Sequence, residues 1–138
     1  MAKISQKPVT REVREEMFRS MFRALARVSD EGAIGKILDD VLTPTEKIMI
    51  AKRVMAAILI DRGYSYTEIG ELLKLSPTTI NTVHREIRKK GDGYRLIFGL
   101  FPKKSKFDKF LVAVDRFLAL AIPPVKGSKS SFRRWKRG

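Results

Sequence analysis

YTEIGELLKLSPTTINTVHR, residues 66–85, decides the fold. Its apolar residues Ile69, Leu73, Leu75, Ile80 and Val83 fall at helical spacing on either side of a serine–proline break. That pattern predicts a short helix from Tyr66 to Lys74, a tight turn, and a second helix from Ser76 to about Lys90. Ser76 is the expected cap, and Pro77 opens the second helix with its φ already set. Two helices that cross steeply need a small residue where they approach, and Gly70 fills that place. The turn of such a pair often carries glycine, where this chain has Lys74. Together these features read as a helix-turn-helix. The competing reading is a helical hairpin with no nucleic-acid role.

With Ile80, Val83 and Ile87 turned inward, the second helix presents Thr78, Asn81, Thr82, Arg85 and Lys89 on its opposite face. Short polar groups near a helix N-terminus can approach base edges; asparagine suits adenine, and arginine suits guanine. The free amides at that N-terminus also favour a phosphate. The expected DNA contacts are therefore Ser76, Thr78, Thr79, Asn81, Thr82, Arg85, Arg88 and Lys89. Thr78 and Thr79 have a plainer alternative as ordinary first-turn residues. His84 could meet a phosphate, although a structural or exposed histidine is the commoner case.

Upstream, Thr43-Pro44-Thr45-Glu46 is a helix start with a capping threonine, proline at the first position and glutamate completing a capping box. The helix runs to about Arg62 and stops at Gly63. Its middle, IMIAKRVMAAILI, is apolar nearly all round, so it requires cover on most sides. One small protomer has little to cover it with, which points to an obligate dimer. Farther upstream, Val13, Met17, Met21, Leu25 and Val28 recur at the helical period over 10–28, with Val13, Met17 and Met21 as the expected buried stripe and Thr10 as cap. Ser29-Asp30-Glu31-Gly32 breaks that helix, and a short one follows over 33–41.

Downstream, the GDG at 91–93 closes the helix-turn-helix region, and residues 94–104 (YRLIFGLFPKK) read as strand or loop. A further helix is predicted over 105–121, stopped by Pro123-Pro124. The organisation expected is a loose basic arm (1–9), a helix-turn-helix domain (10–91), an added helical segment (92–122) and a basic tail (123–138). In that tail Arg133, Arg134, Trp135, Lys136 and Arg137 are candidate nucleic-acid contacts, with a solubilising tail as the alternative.

The chain has 138 residues and a formal net charge of +14. Residues 1–91 hold 17 basic and 12 acidic side chains, and 92–138 hold 12 and 3. Such a surplus points to a polyanionic partner. Cysteine is absent and histidine single, which excludes disulfides, thiolate or His-cluster metal sites and cysteine nucleophiles. The longest apolar run, Val54 to Ile60, is far short of the roughly 20 residues that span a bilayer. The start MAKISQKPVT lacks a signal-peptide core. A cytoplasmic, nucleoid-associated protein is expected, with no membrane partner, metal or cofactor. No nucleophile–base pair can be assembled either, so no enzyme is expected.

The longer stretch LTPTEKIMIAKRVMAAILIDRGYSYTEIGELLKLSPTTI, residues 42–80, resembles the Trp repressor superfamily. The resemblance rests on the LTP-x-E helix start, the Arg53-Val54 pair and the short spacing into the helix-turn-helix. It covers roughly residues 10–90, and the helix at 105–121 would match the family's last. It implies an all-α helical bundle in an intertwined homodimer, here with a basic C-terminal extension. It also implies a corepressor pocket, of which Thr43 and Arg53 match the family's threonine and long-helix arginine. The family's second pocket arginine falls on Thr82, its glycine on Val83 and its serine on Glu86. Arg53 has an ordinary alternative in an ion pair on the helix surface or at a dimer interface. The function expected is a homodimeric, sequence-specific transcriptional regulator bound to double-stranded DNA. Its effector is unknown, and L-tryptophan is disfavoured. The alternative is an architectural or RNA-associated basic protein without strong sequence preference.

Overall fold

Capping side chains mark most of the helix starts. Thr10 Oγ1 accepts from the Val13 amide at 3.4 Å, and Asp30 Oδ2 accepts from the Ala33 amide at 2.8 Å. Thr43 and Glu46 form a reciprocal box: the Glu46 amide donates to Thr43 Oγ1, and the Thr43 amide donates to Glu46 Oε2 at 2.7 Å. Ser65 with Glu68 repeats that box, and Ser76 caps the next helix. The computed structural model describes residues 7–100 and 106–121, with side chains over 7–100 and 111–121. Among these residues are seven helices and no strand: α1 (Arg11–Ala26), α2 (Glu31–Val41), α3 (Pro44–Asp61), α4 (Tyr66–Leu73), α5 (Pro77–Lys90), α6 (Asp92–Leu100) and α7 (Lys106–Ala121). The chain divides inside α3 into two units, Met1–Lys47 and Ile48–Gly138.

In the first unit α1 is amphipathic as its spacing requires. Exposed ion pairs Arg11–Glu15 and Glu16–Arg19 lie along its polar side. Its apolar stripe is bare, however: Val13, Met17, Phe18, Met21, Phe22 and Leu25 are between 39% and 60% exposed. No residue of α1 or α2 is buried. The expectation that Val13, Met17 and Met21 are buried is not met within one chain, where no described residue of this unit covers them. The first turn of α3 is tied to α2 by the Lys47–Asp39 ion pair.

The second unit carries the core. Ala56, Ala57 and Leu59 of α3, Tyr64, Ile69 of α4, Ile80 and Val83 of α5, and Leu111, Val114 and Leu118 of α7 form one buried cluster. The α4–α5 pair packs on itself, α7 lies against α4, and α6 lies against α5. The Tyr64 hydroxyl donates to Asp115 Oδ1 at 2.7 Å, which pins α7 to the loop that leads into α4. The all-round apolar helix is covered only over its C-terminal half; Ile48, Met49 and Ile50 are 48–54% exposed.

The strand-or-loop reading of 94–104 is corrected over 94–100 by α6; 101–104 lie outside the described residues. Gly91 ends α5 as expected, but Asp92 starts the next helix at once. Arg95 returns to Asp92 at 2.9 Å, and the Arg95 amide bonds the Gly91 carbonyl at 2.8 Å. Tyr94 and Phe98, one turn apart, stack with ring centroids 6.5 Å apart, and both pack on the core. Six apolar or aromatic residues in eight gave no period to choose by, and the neighbouring α5 supplied the choice.

Candidate nucleic-acid interface

The helix-turn-helix is α4, the turn through Lys74 and Leu75, and α5. A Cβ on Gly70 would stand 3.0 Å from the Leu75 carbonyl oxygen, so a larger residue there would push the two helices apart. Lys74 takes the left-handed conformation, φ 55 and ψ 51, which is the reason glycine is common at this point of the turn. Ile69, Ile80 and Val83 are buried between the helices, as the sequence spacing requires.

Ser76 Oγ accepts from the Thr79 amide at 3.3 Å and lies 3.0 Å from Thr79 Oγ1, so both hydroxyls are engaged in the cap. Thr78, Asn81, Arg85, Arg88 and Lys89 are exposed on α5. Thr82 is half-buried, and its hydroxyl donates back to the Thr78 carbonyl at 3.0 Å. That bond uses its only proton and leaves it the least available of the row. Basic residues Arg88, Lys89 and Lys90 fill the last turn, where they also complement the helix dipole. Arg133, Arg134, Trp135, Lys136 and Arg137 lie outside the described residues.

Two more residues meet beside this row: His84, expected as a phosphate contact or a structural histidine, and Tyr66, for which no site role was expected. Tyr66 Oη reaches from α4 to His84 Nδ1 at 2.8 Å and stands 3.4 Å from Asn81 Oδ1. His84 is thereby held within the protein, which favours the structural reading over a phosphate contact. The two residues lie on different helices either side of a turn, so no period along the sequence could have linked them.

Of the pocket positions, Thr43 is the N-cap of α3, bonded to Glu46 in both directions. Hydrogen bonds from Thr43, first through its backbone amide and then its side chain, hold the Glu46 carboxyl below its usual range. Arg53 is exposed on α3. The Tyr94 phenol is pushed up by burial and by the negative charge of Glu86, against the opposing field of Arg53. Val83, where the family pattern has glycine, is buried in the core.

The family model of the Trp repressor protein matches residues 16–99. The chain belongs to the Trp repressor family. The match takes in α4 and α5 whole, and it reaches into α1 on one side and α6 on the other. Trp repressor family proteins are helix-turn-helix DNA-binding regulators rather than enzymes. No curated protein and no solved structure is similar enough to count as a match. Among the described residues no helix is long and apolar enough to cross a membrane, and no cluster of His, Asp or Glu could hold a metal ion.

Proposed function

We propose that the protein is a sequence-specific DNA-binding transcriptional regulator that acts as a homodimer and does not respond to L-tryptophan. One observation carries the reading. On α5, Thr78, Asn81, Arg85 and Lys89 stand exposed, while Ile80 and Val83 anchor the helix in the core. A rigid helix that offers short polar groups from its first turns and a guanidinium farther along the same face is what the major groove accepts. Asn81 is assigned to adenine and Arg85 to guanine; the Ser76–Thr79 cap would have to open toward a phosphate at the helix start, and Arg88 and Lys89 serve the backbone.

The homodimer rests on the uncovered apolar side chains. Nine of them, from Val13 to Leu25 on α1 and Ile48 to Ile50 on α3, stand about half exposed. Burying the remainder contributes roughly 1 kcal/mol each. Over two chains that exceeds the ~4–15 kcal/mol cost of association.

Selection of bound duplexes from a random library tests the proposal. Enrichment of a two-fold symmetric site is expected, and Asn81→Ala should lose about 1–3 kcal/mol on that site and relax preference at one position per half-site. An equal loss on specific and random DNA would make Asn81 a phosphate contact. The basic surplus over 92–138 favours a second reading, an architectural or RNA-associated protein. Absence of any enriched duplex, with equal competition by structured RNA, would establish it.

A further inference from the structure

Tyr66 belongs to α4, yet its hydroxyl is spent on α5. The Oη lies 2.8 Å from His84 Nδ1 and 3.4 Å from Asn81 Oδ1, and the phenol ring meets the imidazole edge-on with centroids 5.9 Å apart. The ring itself packs against the core. The hydroxyl is therefore a polar tip on a fixed stem, placed beside the amide assigned to base reading.

A phenol has one proton to give. If His84 Nδ1 carries no proton, the phenol donates to it, and Asn81 Oδ1 receives nothing. If His84 Nδ1 is protonated, the imidazole donates to Oη, and the phenol's proton is free for Oδ1. With Asn81 Oδ1 facing Oη, as it stands, only the second arrangement satisfies both neighbours. It also holds the amide that way round, since a turned amide would donate from Nδ2 to Oη and leave the phenol's proton to His84. With Oδ1 drawn toward Tyr66, Nδ2 is turned the other way, and Oδ1 keeps one lone pair for a base. A free asparagine amide can turn over and offer either a donor or an acceptor to the same base edge, so it tolerates several bases. A held amide offers one pattern.

We propose that Tyr66 is a specificity-determining positioning residue: with His84 in its Nδ1–H form, it fixes the amide of Asn81 and so sharpens the choice of one base pair in each half-site. The inference rests on the reading of α5 as the base-reading helix. Tyr66 need not touch DNA.

Duplex selection and competition binding on the full chain test this with Tyr66→Phe, Asn81→Ala and the double variant. Tyr66→Phe keeps the ring and removes only the oxygen. It is expected to recover the wild-type site but lose about five-fold discrimination at the Asn81 position, the magnitude of one ordinary hydrogen bond. Discrimination elsewhere should not change, and the loss should vanish in an Asn81→Ala background. His84→Phe removes the imidazole but leaves the phenol's proton for Oδ1, so it should keep the discrimination at that position. Ring-nitrogen NMR of His84 should show the Nδ1–H form in the wild type. Wild-type preference at every position in Tyr66→Phe, an equal loss on all sequences, or an Nε2–H ring in the wild type would each overturn the role of Tyr66 while leaving base reading by α5 intact. A wild-type chain that selects no site would overturn both.

Discussion

Lys74 shows how a residue can obey a fold against its own preference. Among the described residues it alone, apart from glycine, has a positive φ. The left-handed region costs a residue with a Cβ roughly 1–2 kcal/mol, and glycine gives back part of that gain through its freer unfolded chain. Lys74→Gly is therefore expected to stabilise the protein by about 0.5–1 kcal/mol, read as a higher urea midpoint at unchanged slope. Gly91 is the opposite case. Its φ of −75° suits any residue, but an added Cβ would overlap the Ile87 carbonyl oxygen. The contact, not the dihedral, reserves that place for glycine. At this scale the cap at Ser76, the small residue at Gly70 and the exposed row on α5 were legible because each depends on neighbours within one or two turns. Tyr66 and Tyr94 were not, since their partners come from other helices.

Helices with strong local signals formed where their caps and periods placed them, within one or two residues. The Thr43–Glu46 box has a measurable consequence. Its hydrogen bonds hold Glu46 in the ionised form, so its folded pKa lies below its unfolded one. The stabilisation is thus complete above the ordinary glutamate range and is lost as pH falls through the depressed folded value. Wild type is expected to exceed Glu46→Gln in thermal stability at neutral pH, with the difference closing in acid; a difference that persists unchanged into acid would remove the charge from the cap. α6 marks where local signals stop. Asp92, Arg95, Tyr94 and Phe98 are consistent with a helix once α5 is beside them, yet the run alone suits a strand equally well.

At the scale of the whole molecule the open question in the sequence was where the apolar surface goes. The stripe on α1 and the first half of α3 remain uncovered in one chain. Light scattering at micromolar concentration is expected to give twice the chain mass, and a folded monomer there would count against the dimer. If the dimer is two-fold, its two α5 helices should sit about 34–36 Å apart, one turn of DNA. The effector prediction also belongs to this scale. A zwitterionic amino acid with a flat ring needs a cation for its carboxylate and a slot for its ring. Arg53 can supply the cation. Thr82 supplies no second guanidinium, Val83 fills space where the family pattern has glycine, and Glu86 adds a negative charge felt by the same phenol as Arg53. Calorimetric titration with L-tryptophan, with and without DNA, is expected to show no saturable heat; a micromolar signal that tightens DNA binding would reverse this conclusion.

The helix starts, the helix-turn-helix and the chain's strong positive charge are set along the sequence alone. Those follow from capping atoms three residues apart, from a 3.6-residue period and from composition, all of which act locally or sum over the chain. The tertiary structure alone decided that 92–100 is a helix, that Tyr64 fastens α7 through Asp115, and that Tyr66 stands between His84 and Asn81. These depend on which distant segments meet, 15 to 51 residues apart in the three hydrogen bonds. Burial of the core, rather than any pattern along the chain, brings those atoms within reach.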